Sequence, residues 1–186
     1  MFNLPNYITI VRIVLVPIFF TCLLYYTPGR PYFRNYSLIL FLIAMATDAL
    51  DGFIARKFKW QTELGTFLDP LADKLLLLSG FIGIACSQTF IHKPALWIVV
   101  IVVFRDLFII CGLAIIFITV NRIEIRPNLL GKSTTFFQML TIVSVLINLP
   151  NAEWVWLATV VITICSWLLY IQQGIQYLNA QNSKRT

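Results

Sequence analysis

The chain has 186 residues, 59% of them hydrophobic and 12% charged, with 14 Lys and Arg against 8 Asp and Glu for a net charge of +6. A mean hydropathy of +0.84 excludes an ordinary water-soluble domain. The scattered basic residues suit an anionic lipid surface and argue against a nucleic-acid partner.

A bilayer-crossing helix needs about 20 apolar residues. Six runs qualify, at roughly 7–27, 36–56, 65–87, 94–119, 131–150 and 153–176. The expected fold is therefore an all-α integral membrane protein, one domain over 1–186, with six transmembrane helices and short loops. The opening MFNLPNYITIVRIVLVP reads as a short N-terminal interfacial segment feeding the first span. No cleavable leader is expected, because no Lys or Arg precedes Arg12 and no A-x-A site follows the first run. Cys22, Cys86, Cys111 and Cys165 lie inside apolar runs without metal-ligand spacing and read as small apolar filler. His92, the one histidine, falls in the loop SQTFIHK and reads as a loop residue.

Basic residues in loops set the orientation. With the N-terminus inside, Arg56, Lys57, Lys59, Arg122, Arg126, Lys132, Lys184 and Arg185 face the cytoplasm, against Arg30, Arg34 and Lys93 outside. Both termini are thus expected on the cytoplasmic side of what would be a bacterial cytoplasmic membrane. The stretch TDALDGFIARKFKWQTELGTFLDPLADK, residues 47–74, then lies at the cytoplasmic ends of the second and third spans.

All five aspartates lie in or at the end of an apolar run. An ionisable group there is costly and defaults to a functional or paired role; structural ion pairs between helices are the competing reading. At about 100° per residue, Asp48, Asp51, Gly52, Ala55 and Arg56 share roughly a 140° arc, and Gly65, Asp69 and Asp73 drift only about 80°. Antiparallel packing of the two spans would let four carboxylates converge. Pro70 either stands in the first turn of the third helix, with Asp69 near the N-cap, or kinks a helix begun near Gly65. Four carboxylates in a partly dry site need cations. Oxygen-only donors select hard ions such as Mg²⁺, Mn²⁺ or Ca²⁺, and two divalent ions are a known clamp for displacement at phosphorus. Gly52 and Ala55 leave room for a phosphate-bearing ligand, and Arg56 supplies a phosphate fork.

The spacing Asp48-x2-Asp51-Gly52-x2-Ala55-Arg56-x8-Gly65-x3-Asp69-x3-Asp73 resembles, without gap or substitution, the signature of the CDP-alcohol phosphatidyltransferase family. Asn3-Leu-Pro-Asn6 with Arg12, and Gly131-Lys132 with Thr134, Thr135 and Gln138, extend the resemblance over nearly the whole chain. Members are six-helix membrane enzymes, commonly homodimers, that displace CMP from a CDP-linked lipid with an alcohol. The resemblance implies that Asp48, Asp51, Asp69 and Asp73 ligate two divalent cations, Mg²⁺ or Mn²⁺. It implies that Asp73 also takes the proton from the attacking hydroxyl. Asp51, Gly52, Ala55 and Arg56 would hold the CDP portion of CDP-diacylglycerol, with Gly65 giving close approach. The site must open sideways to membrane lipids, because the acyl chains of the donor stay in the bilayer.

The acceptor is less plainly written. Arg105 and Asp106 sit mid-way along the fourth run. Neighbours in a helix do not share a face, so different partners are expected for them. Arg105 is a candidate for an anionic acceptor, with a structural ion pair to a carboxylate as the competing reading. Lys132 and Arg126 at the cytoplasmic mouth could serve the same phosphate, or act as solvated topology signals. Phosphatidylglycerophosphate synthases typically show Arg-Glu here and then Gly-Leu-Arg, whereas this chain has Arg105-Asp106 and then Gly112-Leu113-Ala114. RDLFII followed by RPNLLGKSTTFFQ resembles the family's cardiolipin synthases. Phosphatidylglycerol is therefore the favoured acceptor and glycerol-3-phosphate the alternative. The cardiolipin synthases with two H-x-K-x4-D motifs are excluded by the single histidine. A Mg²⁺-dependent membrane prenyltransferase would carry its two Asp motifs far apart on a longer chain, and an ion transporter would not need the Gly-x2-Ala-Arg element.

Overall fold

The computed structural model describes residues 4–58, 63–120 and 129–182, and side chains within 9–48, 68–112 and 130–172. Among these residues six helices follow one another: α1 (Leu4–Tyr25), α2 (Tyr32–Phe58), α3 (Glu63–Cys86), α4 (Leu96–Val120), α5 (Leu129–Leu146) and α6 (Glu153–Asn182). No β-strand forms among the described residues. Each apolar run of the sequence becomes one helix.

Two local readings change. The expected interfacial segment is not separate: α1 runs unbroken from Leu4. Pro5 occupies its first turn, where an amide N–H has no helical acceptor to lose. Pro70 lies well inside α3, which begins at Glu63, so the choice left open by the sequence falls to the longer helix.

Helix directions follow from the order of contacts. Arg12 meets Asp48, Phe19 meets Phe41 and Tyr25 meets Phe33, so α1 and α2 are antiparallel. Thr9 meets Asp69, Arg12 meets Asp73 and Leu23 lies against Gly83, so α1 and α3 run parallel. Their approach is close: a Cβ on Gly83 would stand 2.7 Å from Leu23 Cδ1 and 3.1 Å from Leu23 Cβ. Gly83→Ala is expected to destabilise the bundle by about 1–3 kcal/mol through overpacking. Thermal unfolding in detergent would read this, and an unchanged midpoint would mean that α1 and α3 tolerate a wider spacing.

At the far end, Asn148 adopts φ 58°. There Leu149 N–H bonds the Ser144 carbonyl at 2.9 Å and Asn148 N–H the Val145 carbonyl at 3.0 Å. This paired arrangement closes a helix through a left-handed residue, a role asparagine fills at low cost. Lys93 donates to the Ser87 carbonyl at 2.6 Å just beyond the C-terminal end of α3, and His92 is exposed in the α3–α4 loop.

Polarity is inverted relative to a water-soluble bundle. Val14, Ile39, Phe104, Phe108, Trp154, Val161 and Leu168 are exposed, while Arg12, Lys74, Arg105, Asp106, Gln138, Thr141 and Thr163 are buried. Lipid outside and paired polar groups inside account for that pattern. Among the described residues, one helical stretch, Glu153–Gln172, is long and apolar enough to cross a bilayer, and Thr9–Tyr25 is apolar but shorter. Cys22 is half-buried, and Cys86, Cys111 and Cys165 are exposed.

Candidate active site

Three of the four motif aspartates have described side chains, and all three are engaged by one helix. Thr9 and Arg12 lie one turn apart on the same face of α1. Thr9 Oγ1 donates to Asp69 Oδ1 at 2.5 Å. Arg12 Nη1 donates to Asp48 Oδ1 at 2.9 Å and to Asp73 Oδ1 at 2.7 Å. The guanidinium is buried, while Asp48 and Asp73 keep side-chain exposures of 33% and 25%, so the carboxylates form the accessible wall of the site and Arg12 its floor. Carboxylates from α2 and α3 thus point at a single nitrogen.

The backbone of Asp51, Gly52, Ala55 and Arg56 continues α2, and that of Gly65 continues α3, but their side chains lie outside the described residues. Arg126 lies outside them altogether. Lys132 is exposed near the start of α5.

Arg105 does not face an open cavity. It is 2% exposed, and its Nη1 donates to Asp106 Oδ1 at 2.8 Å and its Nη2 to Ser166 Oγ at 2.7 Å. This corrects the expectation of separate partners for Arg105 and Asp106. Their Cβ directions differ by about 100°, but a guanidinium on a long flexible stem curls back to its neighbour. The contacts favour the structural ion pair over an acceptor contact.

Asp106 is the centre of a network the sequence reading did not find. Besides Arg105 it accepts from Lys74 Nζ at 2.9 Å and from Gln138 Nε2 at 3.2 Å. One fully buried carboxylate so joins α3, α4 and α5, and Arg105 extends the network to α6. A signal was present. Once loop cations are set aside, Arg12, Lys74 and Arg105 are the basic residues left within apolar runs. A buried lysine needs a carboxylate, and Asp106 is the aspartate outside the motif.

Donor chemistry fits hard divalent cations. Asp48 and Asp73 already converge on one positive atom, Asp69 stands one turn from Asp73 on α3, and every donor is an oxygen. Among the described residues, no three acidic, His or Cys side chains close on one point.

The pattern of the CDP-alcohol phosphatidyltransferase family matches residues 2–171. A Bacillus subtilis protein named CDP-diacylglycerol--glycerol-3-phosphate 3-phosphatidyltransferase is 39% identical over 160 residues, 81% of this chain and 80% of its own. One of the same name from Aquifex aeolicus is 33% identical over 94% of this chain and 93% of its own. A Mycobacterium tuberculosis protein named probable phosphatidylglycerophosphate synthase is 32% identical over 95% of this chain and 80% of its own.

Proposed function

Because the chain belongs to the CDP-alcohol phosphatidyltransferase family, we propose that it transfers the phosphatidyl group of CDP-diacylglycerol to glycerol-3-phosphate and releases CMP. It is a CDP-diacylglycerol-dependent phosphatidyltransferase of phospholipid biosynthesis. The acceptor follows the relatives, which are named for glycerol-3-phosphate and match 81% and 94% of the chain. That evidence outweighs the local likeness to cardiolipin synthases and the single missing arginine at Ala114, so phosphatidylglycerol gives way as the favoured acceptor.

The observation that carries the reading is the convergence of Asp48 and Asp73, from two helices, on one nitrogen of the buried Arg12 guanidinium. Asp48, Asp51, Asp69 and Asp73 are proposed to hold two divalent ions, Mg²⁺ or Mn²⁺. Bound there, such ions supply neutralisation of pyrophosphate charge and an easier departure of CMP. Asp73 is the proposed general base, taking the proton from the attacking hydroxyl of the acceptor. Gly52, Ala55 and Arg56, with Gly65 opposite, are proposed to seat the CDP portion. Lys132 and Arg126 are proposed to meet the acceptor phosphate, and Arg105 to brace the bundle beneath it. Inverted polarity and the run of six helices support six membrane spans in a single domain. The loop cations support both termini on the cytoplasmic side, with the site opening there. A homodimer is the state the family resemblance implies.

The test supplies purified protein with CDP-diacylglycerol and a panel of glycerol-3-phosphate, phosphatidylglycerol, serine and inositol phosphate. CMP release with glycerol-3-phosphate alone, abolished by EDTA and restored by Mg²⁺ or Mn²⁺, is expected. Cardiolipin as the product would return the acceptor to phosphatidylglycerol, and full turnover under rigorous chelation would end the two-metal reading.

A further inference from the structure

One nitrogen of Arg12 stands between Asp48 and Asp73 at hydrogen-bond distance from both. That is the position from which a bound cation would contact the same two oxygens. The guanidinium is buried and carried on α1, outside the aspartate motif. Thr9, one turn earlier on the same face, holds Asp69 in the same manner. Two neighbouring residues of α1 therefore occupy three carboxylates from α2 and α3.

We propose that Arg12 is a built-in counter-cation, which a divalent ion must displace from Asp48 and Asp73 when it enters. The inference rests on the proposed metal role of those aspartates. Without a positive charge between them, two partly dry carboxylates repel each other and disfavour the closed packing of α2 on α3. Arg12 removes that repulsion and holds the helices in register while the site is empty of metal. A divalent ion brings more charge to the same oxygens, and the guanidinium then faces a like charge. It must turn away within the site or give up one of its two contacts. Arg12 thus acts in two opposed ways: it stabilises the metal-free fold and competes with the metal. A full positive charge within hydrogen-bond distance of both carboxylates sets a competition of about tenfold or more by Coulomb interaction.

The experiment measures Mn²⁺ binding to the full-length protein in detergent by the paramagnetic resonance signal of free Mn²⁺. Unfolding midpoints are recorded alongside, with EDTA and with Mn²⁺. Arg12→Met removes the charge and keeps an unbranched stem. It is expected to bind Mn²⁺ about tenfold or more tightly than the wild type, to melt lower in EDTA, and to gain more from Mn²⁺. Arg12→Lys keeps the charge and should stay near wild-type affinity. A merely structural arginine would lower the melting temperature without tightening Mn²⁺ binding, so affinity equal to or weaker than wild type in Arg12→Met overturns the proposal. Should Arg12→Met fold only when Mn²⁺ is present, the ion is replacing the lost guanidinium, as the proposal requires. Failure to fold even with Mn²⁺ counts against it. A wild type that binds no Mn²⁺ would overturn the metal reading itself, and this inference with it.

Discussion

Asp73→Asn is expected to lower turnover by about 10²–10⁴ while CDP-diacylglycerol still binds. An asparagine at this position keeps the shape and one oxygen, able to accept from Arg12 Nη1, 2.7 Å from Asp73 Oδ1, or to face a divalent ion that takes that place. The amide cannot take a proton from a hydroxyl. If Asp73 is the base, the chemical step loses its proton acceptor and the donor site is left largely in place. CMP release under saturating glycerol-3-phosphate measures the first effect, and equilibrium binding of CDP-diacylglycerol the second. Turnover near the wild-type rate would remove Asp73 from the role. Loss of donor binding together with turnover would make Asp73 chiefly a part of the donor site.

The second large effect is on stability. Asp106→Asn should destabilise the protein by about 3–5 kcal/mol, the usual result of leaving a buried charge without its partner. Asp106 is fully buried and receives Lys74, Arg105 and Gln138. Removing its charge leaves an ammonium and a guanidinium side by side with no carboxylate between them. For a chain of this size the unfolding midpoint should fall by roughly 6–20 °C. Asp106→Glu keeps the charge and should recover much of the loss. An unchanged midpoint in Asp106→Asn would show that the network adds little to the fold.

Sequence and structure agree on the number and order of the helices among the described residues, one to each long apolar run. The six helices match six apolar runs, the pattern that six bilayer spans would require through continuous apolar surface and satisfied backbone groups. The motif aspartates were legible because each charge in such a run needs a reason. Contacts that depend on side-chain reach were not legible. Spacing along a helix separates Arg105 from Asp106, yet four rotatable bonds bring the guanidinium back to its neighbour. Lys74 follows Asp73 directly, and the weight of the aspartate motif concealed a second polar system beginning one residue later. Arg12 stands inside the first apolar run, but its two carboxylate partners lie on other helices and no pattern local to α1 names them. The start of α3 was ambiguous because proline is tolerated both in a first turn and, where tertiary packing compensates, further along.

The bond between Arg105 and Asp106 also bears on how the protein is made. On the six-span reading, α4 enters the membrane ahead of α5 and α6, which carry Gln138 and Ser166. A lone arginine or aspartate at the centre of a span costs about 2.5–3.5 kcal/mol at insertion, and α4 carries one of each. Because Arg105 Nη1 reaches Asp106 Oδ1 within the same helix, at 2.8 Å, the segment brings its own counter-charge. It can partition into lipid as a nearly neutral unit, while Lys74 waits in the preceding span. With α5 and α6 in place, the bonded pair gains further partners: the carboxylate accepts from Gln138 and the guanidinium donates to Ser166. Adjacency in the chain, which hid the contact from a reading by helix faces, is what lets this span be inserted on its own.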